Sequence, residues 1–233
     1  MWRVRLLAVA MVFAVPSVVQ GGIAEPPDMN IAWDQCGVGG ASFKNFACDS
    51  NTGSSVIVVS FAPLQSLDVE LVDTDVLMQT QGGAALPSWW ALGAGGCRSG
   101  AMVLSSDRGG DAGCAELVGN QVFGWTFIPD WAGPGTGRIM VEIGPGAPGV
   151  TVSAGVEYFG FKIVLNHTKS VGTDSCGGCS TQMSIRLGTV VVSYADGRQD
   201  ELAQPIRQDT IVLQSGTTPA RTSTWGQIKA LYR

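Results

Sequence analysis

Cys176 and Cys179 stand in "TDSCGGCSTQ" with two glycines between them, a spacing used by redox pairs, by halves of zinc sites and by clasps on loops. A redox pair places its first thiol at a helix N-terminus, where the helix dipole lowers the thiol pKa. The residues after Cys179, "STQMSIRLGTVVV", have strand character instead. A structural zinc needs four ligands, and the chain offers one C-x-x-C, one histidine and no second close cysteine pair. The pair is therefore expected to be a disulfide that closes a loop between two strands. Cys36, Cys48, Cys97 and Cys114 bring the number to six, which in an exported chain reads as three disulfides among fifteen possible connectivities. Pairing of neighbours is the simplest: Cys36 with Cys48, Cys97 with Cys114, and Cys176 with Cys179.

Tryptophan is the other chemically suggestive residue, with seven in the chain. Trp89 and Trp90 in "LPSWWALGAGGC", with Trp125 and Trp131 in "FGWTFIPDW", are candidates for a ligand-binding platform, because exposed aromatic faces hold pyranose rings by apolar contact. The alternative is that they cap the core. On a strand adjacent residues point to opposite faces, so an extended Trp89-Trp90 would put one ring inside and one outside. His167, the only histidine, sits in "LNHTK" without a G-x-S-x-G elbow, so no catalytic triad is expected. Nothing singles out two acids as a glycosidase pair, which leaves a secreted hydrolase as the least favoured reading. Asp68, Glu70, Asp73 and Asp75, and the loop from Asp107 to Gly113, match no calcium-loop spacing. No metal, cofactor or catalytic residue is expected, and the chain reads as a non-enzyme.

The elements that would carry these residues are strands. "SSVIVVSF" (54–61) is a short β-branched run bounded by turn residues. In "LDVELVDTDVLMQT" (67–80) Leu67, Val69 and Leu71 alternate with Asp68, Glu70 and Val72. "RIMVEIG" (138–144) sets Ile139, Val141 and Ile143 against Met140 and Glu142. "EYFGFKIVLN" (157–166) sets Phe159, Phe161, Ile163 and Leu165 against Tyr158, Lys162 and Asn166. "MSIRLGTVVVSY" (183–194) and "TIVLQ" (210–214) complete the series, punctuated by "GPGTG" and "GPGAPG". Strands without intervening helices predict an all-β chain, an antiparallel β-sandwich.

The ends predict a compartment. Arg3 and Arg5 precede an apolar run from Leu6 to Val15 and then small residues, the layout of a secretory signal peptide over 1–24. That run is too short to span a bilayer, and no later stretch reaches the length of a transmembrane helix. The leader takes two arginines and no acid with it, leaving 12 basic against 19 acidic residues, a net charge near −7. Such a surface excludes nucleic acid and anionic membrane as partners. The expected organisation is one sandwich domain over 25–214, a polar linker over 215–224 and a short helix over 225–233. In that helix Trp225, Ile228 and Tyr232 fall at i, i+3 and i+7.

On "LPSWWALGAGGCRSG", "EYFGFKIVLNHTKSVGTDSCGGC" and "STWGQIKALYR" the chain resembles a group of secreted bacterial proteins that carries no established activity. In that group a further cysteine usually follows the C-G-G-C, at about the place of Met183, and this chain lacks it. The strand series is also similar, at fold level, to cohesin and carbohydrate-binding β-sandwiches. The "STWGQIKALYR" ending resembles terminal tails of exported bacterial proteins, which implies either an address for export or surface attachment or a docked helix. Together these imply a secreted or cell-surface, non-catalytic binding or structural module. Its expected partner is a polysaccharide held by the exposed tryptophans, or a surface protein in an assembly joined through the tail.

Overall fold

The computed structural model describes residues 28–109, 113–117, 122–145 and 149–214; the expected leader, linker and tail helix lie outside them. The apolar alternation of the sequence is satisfied by two sheets laid face to face. The smaller has the strand order β1 (Met29–Trp33), β3 (Ser54–Phe61), β10 (Tyr158–Asn166) and β5 (Met102–Ser105), with β6 (Ala115–Glu116) beside β10. The larger runs β2 (Phe43–Lys44), β13 (Thr210–Leu213), β11 (Met183–Tyr194), β4 (Asp68–Thr80), β8 (Thr136–Gly144) and β7 (Val122–Pro129). On its flanks β12 (Gln199–Leu202) pairs with the second half of β11, and β9 (Val150–Thr151) with the start of β4. The named pairings are antiparallel except two short ones, β6 with β10 and β2 with β13. This is the β-sandwich expected from the strand series.

The core lies between the sheets. Ile57, Val59 and Phe61 of β3 and Phe161, Ile163 and Leu165 of β10 meet Val72, Val76, Ile139, Val141, Ile185, Leu187 and Val192 from the larger sheet, all buried. Because the side-chain period of a strand is two, one extra residue turns every later side chain to the other face. Three such irregularities correct the expected alternation. Gly160 is the extra residue between Phe159 and Phe161, so Phe159 leaves the main core. It packs behind the small sheet with Val58, Cys36 and Cys114. Glu70 is the extra residue opposite the Ser193–Tyr194 step, and beyond it Leu71 turns outward while Val72 turns in. The third falls in β11 between Leu187 and Val190.

The six cysteines are all oxidised, and none pairs with its sequence neighbour. The bonds are Cys36–Cys114, Cys48–Cys179 and Cys97–Cys176, with Cα–Cα separations of 5.8, 6.0 and 6.0 Å. The expected local pairing is therefore corrected: each bond joins segments that lie close only because the sheets bring them together. Cys176 and Cys179 form two anchors of one loop, the first to the segment after Trp90, the second to the segment before β3. Gly178 in that loop has φ +90°. A Cβ there would come within 2.3 Å of Pro87 Cβ, so the loop needs glycine at this point.

Candidate binding face

Trp89 and Trp90 do not form a surface platform. They sit on a 3-10 turn over Ser88–Trp90, not on a strand, and both are fully buried. The turn lets both indoles enter the same end of the sandwich, where they meet edge to face with centroids 5.0 Å apart. Trp89 Nε1 donates to Ser170 Oγ at 3.0 Å, and Trp89 backbone N–H to the Gly177 carbonyl at 2.9 Å. Arg98 closes this end: its guanidinium lies 3.4 Å from the centroid of the Trp89 ring and donates to the carbonyls of Trp89, Thr168 and Asn166. Burial lowers its pKa to about 10, which leaves it a cation at neutral pH. Sequence reasoning passed over Arg98, since nothing in "GGCRSG" marks it as buried.

His167 belongs to the same end. Its ring stacks on Phe46 at 4.0 Å, and its Nε2 lies 2.9 Å from Ser55 Oγ. Ser55 is itself fully buried, so its hydroxyl meets no substrate. Burial pushes the imidazole below its usual pKa. The pair fastens the start of β3 to the end of β10.

Trp125 and Trp131 are the other half of the expected platform, and they are 43% and 48% exposed. They belong to the β7–β8 hairpin, as do Met140 and Ile128. These four are half of the eight most exposed large apolar residues among the described residues, which singles out this part of the surface. The pairing register shows which residues share the outer face of the large sheet, because directly opposed residues point the same way: Met140 and Ile128 do, whereas Trp125, opposite the buried Val141, stands on the other side of its edge strand. One row crosses five strands: Glu201, Val191, Asp73, Glu142 and Gly124. The next holds Asp75, Met140 and Thr126, and the one after it Thr210, Arg186, Leu77, Arg138 and Ile128. Over the first two rows lies a shallow depression of about 530 Å³, bordered by Trp125.

Its charges are unequal. Arg138 is held by Asp75 through two bonds of 2.9 and 2.5 Å, with its guanidinium 4.3 Å from the Trp131 ring. Arg186 is paired with Asp209 at 3.2 Å. Among the described residues no cation pairs with Asp73, Glu142 or Glu201. Asp73 and Glu142 are directly opposed like charges, a destabilising arrangement. Burial first, and then the facing Glu142, raise Asp73 above the ordinary carboxylate pKa. At the end of the row a Cβ on Gly124 would meet no atom within 4 Å, so the flank of Glu142 stands open. Two facing carboxylates are also the arrangement of a glycosidase, but here they lie on an open sheet face with no cleft to exclude water.

The outer face of the small sheet is different. The Cys36–Cys114 bond packs over it and buries Val58 and Phe159. Among the described residues no group of three or more His, Cys, Asp or Glu is placed to hold a metal ion, and no helix is long and apolar enough to cross a membrane.

No protein-family model and no curated protein matches the chain. Several solved cohesins are similar in fold. A non-cellulosomal cohesin from the archaeon Archaeoglobus fulgidus has 10% identity and a TM-score of 0.37, covering 79% of this chain and 88% of its own. The cohesin module of a family 33 glycoside hydrolase from Clostridium perfringens has 11% identity and a TM-score of 0.37, covering 80% and 97%. A Clostridium thermocellum cohesin from a type I cohesin–dockerin complex has 8% identity and a TM-score of 0.40, covering 80% and 94%.

Proposed function

We propose that the chain is an exported, non-catalytic binding module that takes a protein partner on the outer face of its large sheet. The observation that carries this reading is the row of Asp73, Glu142 and Glu201, without partner cations, set among the exposed Met140, Ile128 and Trp131. Tryptophan, methionine and arginine are the residue types enriched where proteins meet. A partner that brings a lysine or arginine into the row relieves the repulsion between Asp73 and Glu142. Export rests on the signal-peptide layout of the first 24 residues and on the three disulfides, which persist in oxidising compartments.

A protein partner is favoured over a polysaccharide because two of the four expected platform rings are buried, and Arg138 lies against a third. The test presents the oxidised chain, in parallel, to a displayed random-peptide library and to a glycan array. Peptides with a basic residue among apolar ones are expected to be retained. Asp73→Asn with Glu142→Gln, and separately Gly124→Phe, are expected to lower that retention about tenfold or more, the range in which interface anchors act. Glycan retention without peptide retention, weakened by Trp125→Ala and Trp131→Ala, replaces this reading with the carbohydrate one.

A further inference from the structure

The free margin of β7 follows from its pairing. In "VFGWTFIP" (Val122–Pro129) side chains and backbone groups both alternate. Asp130 N–H donates to the Thr136 carbonyl at 2.7 Å, one step beyond the Pro129–Gly137 pair, and this fixes the alternation. The N–H and carbonyl groups of Gly124, Thr126 and Ile128 therefore face β8, and those of Phe123, Trp125 and Phe127 face away from the sheet. Among the described residues no strand pairs with them. Their side chains share the inner side of the strand, opposite the buried Ile143, Val141 and Ile139. Phe123 and Phe127 pack against the core, whereas Trp125 between them is 43% exposed.

Free edge groups template pairing with another chain, and natural edges are guarded by charged side chains, prolines, bulges or short length. β7 has eight residues, none of them charged, and its proline stands at the end. The other margins are shorter or occupied. β2, β5 and β12 have two, four and four residues. Along β1, Met29 N–H donates to the Gln204 carbonyl and Ile31 N–H to the Gln208 carbonyl.

β7 is also its own complement. The chain holds 19 acidic against 14 basic residues, so two copies repel over much of their surface, but on this strand they meet without charge. Laid antiparallel across a two-fold axis at Trp125, Trp125 faces Trp125 of the second copy, and Phe123 faces Phe127. Each of these three pairs can exchange two backbone hydrogen bonds. A two-fold register shifted either way puts a phenylalanine opposite Pro129, which lacks an N–H, or opposite a residue outside the strand. The same register sets the aromatic side chains of the two copies beside each other, and such cross-strand pairs stabilise a sheet.

We propose that two copies of this chain join edge to edge through β7, antiparallel about Trp125, and that the exposed indole is covered by its twin. With one long open edge per copy among the described residues, the association closes at a dimer. Residues 123–127 are few beside the roughly 20–30 a side of a standard interface, so the dimer forms at high concentration and dissociates on dilution.

Sedimentation equilibrium and amide hydrogen exchange by NMR, on the oxidised chain diluted from millimolar to micromolar, test this. The mass of two copies is expected at the concentrated end. The amides of Phe123, Trp125 and Phe127 should exchange more slowly as concentration rises, while those of Gly124, Thr126 and Ile128, bonded to β8, stay protected throughout. Trp125→Lys and Trp125→Glu, each placing two like charges on the axis, are expected to weaken the dimer about tenfold or more. Protection of the Gly124, Thr126 and Ile128 amides in both variants shows that the fold is kept. An equal mixture of the two variants should recover association, since lysine then faces glutamate. Trp131→Lys, whose native ring lies against Arg138 and off the edge, should leave the dimer intact. A chain that stays monomeric overturns the proposal, as does a dimer that Trp125→Lys leaves unchanged or a mixture of folded variants that recovers nothing. Edge amides equally protected at every concentration overturn it too, because the chain's own residues would then cover the edge.

Discussion

The two tryptophan pairs have opposite fates. Trp89 and Trp90 close one end of the sandwich, with Arg98 over the Trp89 ring and the cysteines of the Cys97–Cys176 and Cys48–Cys179 bonds in the same core cluster. Trp125 and Trp131 lie on an edge hairpin in contact with solvent. The difference follows from what surrounds each pair. At the closed end, chain segments distant in sequence are bonded together, so the space over the rings is filled from several directions. At the hairpin, β7 is the last strand of its sheet, and among the described residues no strand pairs beyond it. One pair is built into the core and the other is open to solvent.

This contrast is broken most readily at the closed end. Trp89→Ala removes a fully buried indole and is expected to lower stability by about 3–5 kcal/mol, whereas Trp125→Ala should lower it by less than about 1 kcal/mol. Urea denaturation monitored by circular dichroism separates the two, and equal losses would mean that the hairpin indole is also a core residue. Next in size, Cys97→Ala with Cys176→Ala is expected to cost about 2–5 kcal/mol. It should also shift tryptophan emission to the red as water reaches Trp89. Peptide mapping of the unreduced chain checks the premise: Cys176 should be found with Cys97 and Cys179 with Cys48, and a Cys176–Cys179 peptide would contradict the architecture.

His167 sharpens the comparison through pH. Its folded-state pKa is held below the ordinary value of 6.5, chiefly by burial. The unfolded chain therefore takes up a proton at this site before the native chain does. Stability from this group is present above pH 6.5 and is lost as pH falls from 6.5 through the lowered value. His167→Gln is expected to flatten that part of the stability profile. An unchanged slope would show that another group titrates there.

The sequence makes most of the sandwich legible and hides much of the site, for one physical reason. β3, β4, β8, β10, β11 and β13 are long or strongly β-branched, so periodicity reveals them. β1, β5 and β12 have four or five residues, too few to show a period. β7 is interrupted by Gly124 and ends on Pro129, as suits an edge strand. The single-residue irregularities at Gly160 and Glu70 cannot be foreseen from alternation, yet they decide which side chains face inward. The disulfide pairing and the acid row both depend on register between strands far apart in the chain. Asp73 and Glu142 become neighbours only when β4 pairs with β8, and local sequence carries no mark of that. The one available signal was that "VDTD" and "VEI" each place an acid on an outward position of an alternating strand.

The smallest expected effect bears most directly on the exposed region. Asp73→Asn removes one member of an opposed like-charged pair on a surface strand. At pH 7 it should stabilise the protein by about 0.2–1 kcal/mol, the range for cross-strand pairs. The sign follows from the raised pKa: the native state holds a proton on Asp73 at pH values where the unfolded chain has lost it, so ionisation of Asp73 opposes folding. The advantage of the asparagine variant should therefore shrink as pH falls through the raised pKa and vanish below about 3.9, where the unfolded carboxyl is also protonated. If the same substitution that strengthens the fold also abolishes peptide retention, the acid row is maintained at the expense of stability because it binds. If it stabilises and retention is unchanged, the row is no part of the binding surface, and the hairpin tryptophans are left to account for recognition.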